Sequence, residues 1–392
     1  MPLTGIKVVD LTRIIAGPFC TLLLADMGAE ILKIEPPKEG DPLRAQGYIK
    51  DGLSWYFSSY NRNKKSITLN LYSPEGKEIL SDLIRKSDVV VENFRPGVMD
   101  KMGFGYHRLK ELNDKIIYCG ITGFGKSGPY KDRPAFDFIA QAMSGFMSLN
   151  GKEGEEPLRA GNPISDLVAG LYAAFGIASA IAHRQRTGEG QEVQTSLVDG
   201  LVSMLSYMAS NFLANGKLPI RTGNDHPLVA PYGIFRCADG EVAIAPSNDQ
   251  VYFKFISALG LEHLKSVPEF ATNDLRMANR KQIKEIIEEV TSIKPKAHWI
   301  EYLNKEGVPC GTVMNLAEVF SDPQIIHQEM LVDVPHGEHG IVRMVGFPVK
   351  MSQTPCRIRR PAPELGEHTT EIIKRLGYDE KFIEELKNKK II

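Results

Sequence analysis

Short runs of β-branched residues alternate with helix-period segments through the first 120 residues of the chain. The runs lie at residues 6–11, 29–35, 66–71, 88–92 and 116–122. Strand and helix patterns in this order are typical of an α/β fold with a doubly wound parallel sheet. Ligands of such folds bind at the carboxyl ends of the strands. The pattern therefore predicts a doubly wound sheet with a ligand site directly after the first strand, at Thr12 to Gly17.

A long run of small and apolar residues at 167–182 carries no charge. It predicts a helix over residues 166–186, because Ser165 is a good N-cap and Gly188 follows a basic last turn. This composition predicts burial on all sides, and the uncharged run is shorter than the ~20 residues of a bilayer span. Asp166 lies in the first turn, where the helix dipole favours its ionised form. Two interpretations of Asp166 stay open at this point, a helix cap and a reactive carboxylate.

The chain changes character after a polar, glycine-containing stretch at residues 215–227. Short strands and charged helices follow, and near residue 317 the pattern returns to that of the first part. We therefore predict a large domain formed by residues 1–224 and 317–392, with a smaller α/β domain at 225–316.

Composition excludes several classes of function. The 392 residues include 47 basic and 48 acidic residues, a net charge of −1, which gives no indication of a nucleic-acid or membrane partner. The N-terminal residues have neither a signal-peptide nor a transit-peptide pattern, so we expect a cytoplasmic protein. Five cysteines without a C-x-x-C pair predict reduced core residues. His336 and His339 form an H-x-x-H, but no third ligand is near in sequence, so we expect a turn and no metal site.

Two loops leave alternatives open. Residues 55–65 place aromatic side chains beside a basic run, which suits either nucleotide binding or a half-buried turn. Residues 123–130 contain three glycines, a lysine and a serine, and either wrap a phosphate or form a flexible loop. The chain has no G-x-G-x-x-G, which disfavours a nicotinamide or flavin dinucleotide.

Seven segments in one order identify a family resemblance that covers nearly the whole chain. They are DLTRIIAGPFCTLLLADMGAEILKIEPPKEGDPLR, NRNKKSITLNL, VENFRPGVMDKMG, GITGFGKSGP, the D-x-x-x-G from Asp166 to Gly170, RTGEGQ and PELGEHT. Together they resemble the class III CoA-transferases, the family of formyl-CoA transferase, carnitine CoA-transferase and α-methylacyl-CoA racemase.

The resemblance implies an interlocked homodimer, with a Rossmann-like large domain built from both chain ends and a smaller domain. It implies Asp166 as the nucleophile, and an exchange reaction through an aspartyl anhydride and an aspartyl-CoA thioester. Coenzyme A and acyl-CoA are then substrates, a carboxylic acid is the second substrate, and no cofactor is bound permanently. The implied CoA contacts are Arg13, Ile14, Ile15, Lys38, Leu69, Tyr72, Asn93, Phe94, Arg95, Lys101, Ala135, Phe136 and Asp137.

Two departures from the family narrow the expected reaction. Phe136 occupies the position of the racemase histidine, which disfavours the alternative of a 2-methylacyl-CoA racemase or isomerase. Residues 223–227 read GNDHP where the resemblance implies GGGGQ, the glycine-rich flap of the formyl-CoA/oxalate enzymes, which disfavours oxalate. Short segments look closest to the branch that acts on dicarboxylic acids such as succinate and glutarate, with succinyl-CoA as the implied donor. A third alternative is a CoA-binding subunit whose catalysis resides elsewhere.

Overall fold

The computed structural model describes residues 1–392, with thirteen strands and eighteen α-helices. The strands are β1 (Lys7–Asp10), β2 (Glu30–Glu35), β3 (Ile49–Lys50), β4 (Leu53–Ser54), β5 (Lys64–Thr68), β6 (Val89–Glu92), β7 (Ile117–Thr122), β8 (Glu192–Ser196), β9 (Gly233–Cys237), β10 (Gly240–Ile244), β11 (Cys310–Thr312), β12 (Leu331–Pro335) and β13 (Ile341–Val345). The helices are α1 (Ala16–Asp26), α2 (Trp55–Asn61), α3 (Pro74–Arg85), α4 (Val98–Met102), α5 (Tyr106–Leu112), α6 (Asp137–Met143), α7 (Phe146–Leu149), α8 (Ile164–Thr187), α9 (Leu197–Ser203), α10 (Ser206–Asn215), α11 (Asp249–Ala258), α12 (Asn273–Ala278), α13 (Arg280–Thr291), α14 (Lys296–Lys305), α15 (Leu316–Ser321), α16 (Pro323–His327), α17 (Thr369–Leu376) and α18 (Glu380–Asn388).

The chain folds into two compact units. The sheet unit consists of Met1–Met147, Arg159–Ala209 and Pro323–Ile392, and the small unit consists of Ser148–Leu158 and Ser210–Asp322. The small unit thus contains the predicted residues 225–316. Its main segment starts earlier, at Ser210, and it also includes the separate segment Ser148–Leu158.

Hydrogen bonds between distant parts of the chain account for this difference. The Gly223 N–H donates to the Gly151 carbonyl oxygen at 2.8 Å, and Arg221 Nε donates to the Lys152 carbonyl oxygen at 3.3 Å. The polar, glycine-containing pattern of residues 215–227 does not indicate which distant residues they bond.

Six parallel strands form the central sheet of the sheet unit, in the order β5-β2-β1-β6-β7-β8. Numbered along the chain within this sheet, the order is 3-2-1-4-5-6, which is that of the dinucleotide-binding folds. The strand order reverses between β1 and β6, where Val8 pairs with Val89. The predicted α/β fold with a parallel sheet is confirmed.

Both faces of this sheet are buried, which explains the continuous β-branched runs of its strands. Along β1, Val8 faces one hydrophobic core and Val9 the other. Helices α1 and α8 cover the first face, while α3, α17 and α18 cover the second, so C-terminal residues complete the core begun by the N-terminal strands. Three of the five free cysteines are buried, namely Cys20, Cys119 and Cys237, and the other two are half-buried.

Helix α8 begins at Ile164, two residues before its predicted start. Ser165 lies inside the first turn and Pro163 takes the cap position, so Ser165 is not the N-cap that the sequence indicated. At the other end, Gly188 adopts a left-handed φ of 79° as the predicted C-cap.

One side of α8 is exposed, which corrects the expectation of burial on all sides. Phe175 is 70% exposed and Leu171 is 51% exposed, while Ala169, Ala173 and Ile177 are fully buried. The helix is long and apolar enough to cross a membrane, but half of it is buried in the core of the sheet unit. We therefore describe α8 as a core helix with one uncovered apolar face.

The small unit has an antiparallel sheet in the order β11-β10-β9. Helices α11, α13 and α14 supply apolar side chains to the core over this sheet, among them Phe255, Ile287 and Trp299. The guanidinium group of Arg276 is buried in this unit, where it bonds Asp249 and the Ala230 carbonyl oxygen.

Close packing of α8 against α1 generates a stability prediction. A Cβ atom at Gly170 lies 2.6 Å from the Ala16 carbonyl oxygen and 3.3 Å from the Cys20 nitrogen, both backbone atoms. We expect Gly170→Ala to destabilise the protein by about 1–3 kcal/mol, because α1 must shift to make room. Thermal unfolding followed by circular dichroism measures the change.

Gly176→Ala in the same helix is the matched control. A Cβ added there would lie 2.8 Å from Cγ1 of the Val193 side chain, with no backbone atom of another element within 4 Å. A side chain gives way more readily than backbone and helix propensity favours alanine, so this variant should lose less stability than Gly170→Ala. Equal losses in both variants would show that the α1–α8 contact is not tight.

Candidate active site

All of the residues implied as CoA contacts follow strands of the parallel sheet. The loops after β1, β2, β5, β6 and β7 leave the sheet at its carboxyl edge, where α/β folds bind ligands. Within this edge, the β1 and β6 loops flank the point at which the strand order reverses.

The loops after β1 and β6 are joined by reciprocal hydrogen bonds. The Arg13 N–H donates to Asn93 Oδ1 at 3.0 Å, and Asn93 Nδ2 donates to the Arg13 carbonyl oxygen at 2.8 Å. The Arg13 guanidinium carbon lies 5.3 Å from the centre of the Phe94 ring. The structure therefore brings three of the implied contacts together at the switch point of the sheet.

Ile14 has a strained backbone in this loop. Its φ of 69° lies in the left-handed region, which costs a β-branched residue about 1–3 kcal/mol. The Ile14 N–H donates to Asp41 Oδ1 at 3.2 Å, and Asp41 in turn accepts from Lys33 Nζ at 2.8 Å. A buried ion pair thus holds the loop in a conformation that the chain alone disfavours.

Lys33 and Lys64 extend this network beneath the loop. Lys33 Nζ also donates to the Thr12 carbonyl oxygen at 2.8 Å. Asp10 accepts from the Thr12 hydroxyl at 2.5 Å and from Lys64 Nζ at 3.3 Å. Both lysines are fully buried. The sequence analysis missed this network, although a lysine in the middle of the buried strand EILKIE is a signal for it.

Burial and charge act in opposite directions on the groups of this network. Burial raises the pKa of Asp10, but Lys64, Lys33 and the hydroxyl groups of Thr12 and Thr21 lower it below its ordinary value overall. Burial lowers the pKa of Lys64 to about 8, against the opposing effect of Asp10.

The remaining implied contacts differ in exposure. Tyr72 is 89% exposed, and Lys38, Arg95 and Lys101 present free cationic surface. Leu69 is only 1% exposed within the core, and its N–H donates to the Glu35 carbonyl oxygen. The side chain and the N–H of Leu69 are therefore engaged within the protein, and a contact with CoA through its carbonyl oxygen stays a prediction.

A small cleft of about 30 Å³ lies beside Arg95 at the carboxyl ends of β6 and β7. Glu92, Tyr118, Lys126 and Glu192 contribute to its wall. Burial raises the pKa of Glu92 to about 7, so this carboxyl group is partly protonated at neutral pH. Lys126 belongs to the glycine-containing loop, and its Nζ is 2.6 Å from Glu192, so this lysine is paired.

The aromatic and basic stretch at residues 55–65 forms helix α2, a buried turn at residues 62–63 and the start of β5, so the half-buried turn that was one of two alternatives accounts for only part of it. Lys64 is bonded to Asp10, and Lys65 pairs with Glu30 at 3.2 Å. These lysines are therefore engaged within the protein, and the structure gives no support to a phosphate contact there.

The charge of Asp166 contributes to the raised pKa values of two tyrosines in α2. Burial raises the pKa of Tyr60 to about 12, and the charges of Tyr56 and Asp166 add to this effect. Burial, Asp166 and Asp137 also raise the pKa of Tyr56. Both phenols are therefore neutral at physiological pH and keep their O–H donors.

The first turn of α8 is fixed by Asp137, the first residue of α6. Asp137 Oδ1 accepts from the Ser165 N–H at 2.9 Å and from the Ser165 hydroxyl at 2.8 Å. Asp137 Oδ2 accepts from Gln141 Nε2 at 2.7 Å. Asp137 thus supplies the side-chain oxygen that caps α8, and Asp166 is free of that role.

Asp166 is half-buried beside this fixed carboxylate. Burial and the negative charge of Asp137 raise the pKa of Asp166 to about 7. From the helix dipole alone, the sequence predicted that the pKa of Asp166 would be lowered. The dipole is worth only about 0.3–1 kcal/mol at such a site, less than the combined effect of burial and a nearby like charge. Asp166 therefore exists as a mixture of acid and reactive carboxylate near neutral pH.

The chain matches the family model "CoA-transferase family III" over residues 3–369. It is 38% identical over 382 residues to a succinate–glutarate CoA-transferase of Agrobacterium fabrum, covering 96% of each chain. It is 40% identical over 381 residues to an acetyl-CoA:oxalate CoA-transferase of Acetobacter aceti, covering 97% of each. A crystal structure of a CAIB/BAIF family protein from Brucella suis superposes with a TM-score of 0.85 at 39% identity, over 96% of this chain and 99% of the other.

These similarities extend over the parallel sheet, α8 and the segments at both ends of the chain. The chain therefore belongs to CoA-transferase family III, whose enzymes move CoA between acyl-CoA esters and carboxylic acids without a bound cofactor.

Proposed function

We propose that Asp166 is the nucleophile of a CoA transfer from an acyl-CoA donor to a small carboxylic acid. The observation that carries this proposal is a half-buried carboxylate whose pKa of about 7 is set by burial and Asp137. Perturbed carboxylates of this kind are typical of reactive groups. Its position at the first turn of α8, with the capping role taken by Asp137, leaves the carboxylate oxygens for chemistry.

The reaction consists of four carbonyl substitutions. The Asp166 carboxylate attacks the donor thioester, expels CoA thiolate and forms a mixed anhydride. The thiolate then attacks the Asp166 carbonyl of that anhydride, releases the donor acid and forms an aspartyl-CoA thioester. The acceptor carboxylate displaces the thiolate to give a second anhydride. Attack by the thiolate on the acceptor carbonyl yields the new CoA ester and restores the Asp166 carboxylate.

Each intermediate preserves the energy of the thioester only where water is excluded. Half-burial of Asp166 reduces access of water, and the neutral phenols of Tyr56 and Tyr60 add apolar surface with hydrogen-bond donors. Such donors stabilise the oxyanion that forms at each substitution. We assign these two tyrosines to the environment of the anhydride.

Exposed positive charge supports coenzyme A binding at the carboxyl edge of the sheet. The exposed cations Lys38, Arg95 and Lys101 suit the anionic phosphates of CoA. The strained loop at Ile14 and its partner Asn93 lie at the switch point, where backbone groups approach a ligand most closely.

We propose succinyl-CoA as the donor and a dicarboxylic acid as the acceptor. One relative bears the name succinate–glutarate CoA-transferase, and another at similar identity is named for acetyl-CoA and oxalate. GNDHP at residues 223–227, where the resemblance implies the GGGGQ flap of the formyl-CoA/oxalate enzymes, supports a dicarboxylate other than oxalate. A panel of acids offered with succinyl-CoA, analysed for each new CoA ester, identifies the acceptor.

Replacement of Asp166 by alanine tests the nucleophile. We expect Asp166→Ala to lower CoA exchange by about 10⁴-fold or more, because no other group forms the anhydride, while CoA still binds. The measurement is the rate of new CoA ester formation, with CoA affinity determined separately by calorimetry.

Asp199→Ala is the matched control for this variant. Asp199 also lies in the first turn of a helix, α9, that packs on the same core, but it is exposed. The control should keep wild-type exchange. Undiminished activity of Asp166→Ala would overturn the proposed mechanism.

The raised pKa of Asp166 predicts the pH dependence of the reaction. The carboxylate is the nucleophile, so kcat/KM for the acyl-CoA should rise with pH through about 7 and level off above it. Asp137→Asn keeps the oxygen that accepts from Ser165 but removes the negative charge that raises this pKa. Its profile should therefore move to lower pH.

The quantity to compare is the midpoint of each profile, since Asp137 also belongs to the implied CoA contacts. A flat wild-type profile between pH 5.5 and 8.5 would contradict the assignment of this ionisation to Asp166. An unchanged midpoint in Asp137→Asn would contradict the role given to Asp137. The two pH limits are chosen about 1.5 units on either side of the expected midpoint.

We also propose that the protein is an interlocked homodimer. The uncovered face of α8, with Phe175 at 70% and Leu171 at 51% exposure, and the nearby Val202 of α9 at 48%, is apolar surface that a partner would bury. The return of the C-terminal helices to the N-terminal core supports a chain that encircles its partner.

Threaded protomers separate only on partial unfolding, so dilution should not produce folded monomers. Analytical ultracentrifugation at nanomolar concentration should show a dimer of a 43.5 kDa chain. A stable, active species of 43.5 kDa would contradict the interlocked dimer.

A further inference from the structure

His336 and His339 lie in the loop between β12 and β13, far from Asp166 in sequence. The strands pair in antiparallel register, with Pro335 opposite Ile341. The His336 N–H donates to the Gly340 carbonyl oxygen at 2.7 Å, and the His339 N–H donates to the His336 carbonyl oxygen at 3.0 Å. These backbone bonds fix both imidazoles on one short loop.

The imidazoles carry ring nitrogens that have no protein partner. His336 is 4% exposed, and its Nε2 is buried without a hydrogen bond. His339 Nδ1 is buried in the same way. The ring centres are 5.2 Å apart. An unpaired buried nitrogen costs about 1–3 kcal/mol, so one on each of two neighbouring rings calls for a specific explanation.

Glu364 supplies a carboxylate from a segment 25 residues further along the chain. Its Oε1 lies 3.2 Å from His339 Nε2. One ligand atom from each of the three residues lies within 4.8 Å of the others. The Glu364 side chain is 60% exposed and that of His339 is 23% exposed, so the group is open to solvent on one side.

We propose that His336, His339 and Glu364 form a binding site for a divalent transition-metal ion of the zinc type. Two imidazole nitrogens and one carboxylate oxygen are a donor set that Zn²⁺ accepts, with water in the fourth position. Mg²⁺ and Ca²⁺ prefer oxygen ligands, and this set offers only one oxygen donor residue.

The distances are compatible with coordination after a small adjustment. Two ligands each about 2.0–2.2 Å from zinc lie at most about 4.4 Å apart. Rotation of an imidazole about its side-chain torsions is enough to bring atoms within 4.8 Å to that separation. The exposed Glu364 carboxylate can follow the same movement.

Such an ion connects two segments of the sheet unit. It joins the β12–β13 loop to the segment around Glu364, which lies in the PELGEHT motif. The expected role is structural, because the ligands tie a hairpin to the C-terminal segment that leads into α17. The site contains none of the residues assigned to CoA transfer, so its test is independent of the proposed function.

The sequence analysis predicted no metal here because no third ligand lies near the H-x-x-H in sequence. The structure does place a third possible ligand there, because folding brings Glu364 next to His339. A motif search over a short window cannot find a ligand 25 residues away.

Zinc binding to the full-length protein tests the site directly. The protein is stripped with a chelator, dialysed, and titrated with ZnCl₂ in competition with a chromophoric chelator of known affinity. We expect one equivalent of Zn²⁺ per chain. An excess of MgCl₂ or CaCl₂ should leave the titration unchanged.

Two substitutions separate the site from adventitious binding. Loss of an outer-shell partner costs about 10–100-fold in metal affinity, so loss of a ligand in His336→Ala or Glu364→Gln should weaken binding by at least about tenfold. Glu364→Gln is the safer variant for folding, because this side chain is mostly exposed. Its Tm without metal should equal that of the wild type.

His107→Ala is the matched control. His107 Nδ1 lies 3.2 Å from Glu111 on the exposed surface of α5, a histidine–carboxylate pair without a second histidine. This variant should bind zinc as the wild type does. Zinc should also raise the Tm of the wild type and of His107→Ala equally, and that of Glu364→Gln less at the same zinc concentration.

Three results would overturn the proposal. The first is no stoichiometric zinc binding to the wild-type protein. The second is binding that persists unchanged in both His336→Ala and Glu364→Gln, which would place the ion on the free thiols or elsewhere. The third is an equal loss of affinity in His107→Ala.

Discussion

The buried ion pair between Lys33 and Asp41 is the interaction on which the rest of the site depends. Its atoms are 2.8 Å apart and both side chains are excluded from solvent. Buried ion pairs of this kind contribute little net stability compared with apolar packing, but loss of one partner costs about 3–5 kcal/mol. We interpret the pair as a positioning device. Lys33 holds the Thr12 carbonyl and Asp41 holds the Ile14 N–H, so the loop after β1 keeps a strained conformation at the ligand edge of the sheet.

The same loop helps to position Asp166, the proposed nucleophile. Helix α1 begins at the end of the loop and packs against α8 at Gly170, where only a hydrogen atom fits against the Ala16 carbonyl. Asp166 lies one turn before Gly170, at the start of α8. Asp137 then fixes that first turn and raises the pKa of the neighbouring carboxyl. The position of Asp166 thus depends on successive contacts between the sheet, the loop after β1, α1 and α8.

Sequence patterns predicted the parts of this arrangement that depend on local residues. The β-branched runs predicted the parallel sheet, and Gly188 predicted the end of α8. Features that depend on contacts between distant residues were missed or predicted wrongly. The pKa of Asp166 moves upward because the fold buries it and places Asp137 of another helix nearby. The uncovered side of α8 is not visible in a composition of small residues. Glu364 reaches His339 only through the fold.

The most direct measurement of the central claim is chemical trapping of an intermediate on Asp166. Wild-type protein is incubated with succinyl-CoA, treated with hydroxylamine or borohydride, digested and analysed by mass spectrometry. The account predicts a hydroxamate, or an alcohol after reduction, at residue 166, and neither product in Asp166→Ala. CoA exchange by wild-type protein with an unmodified carboxylate at residue 166 under both reagents would contradict a covalent aspartyl intermediate.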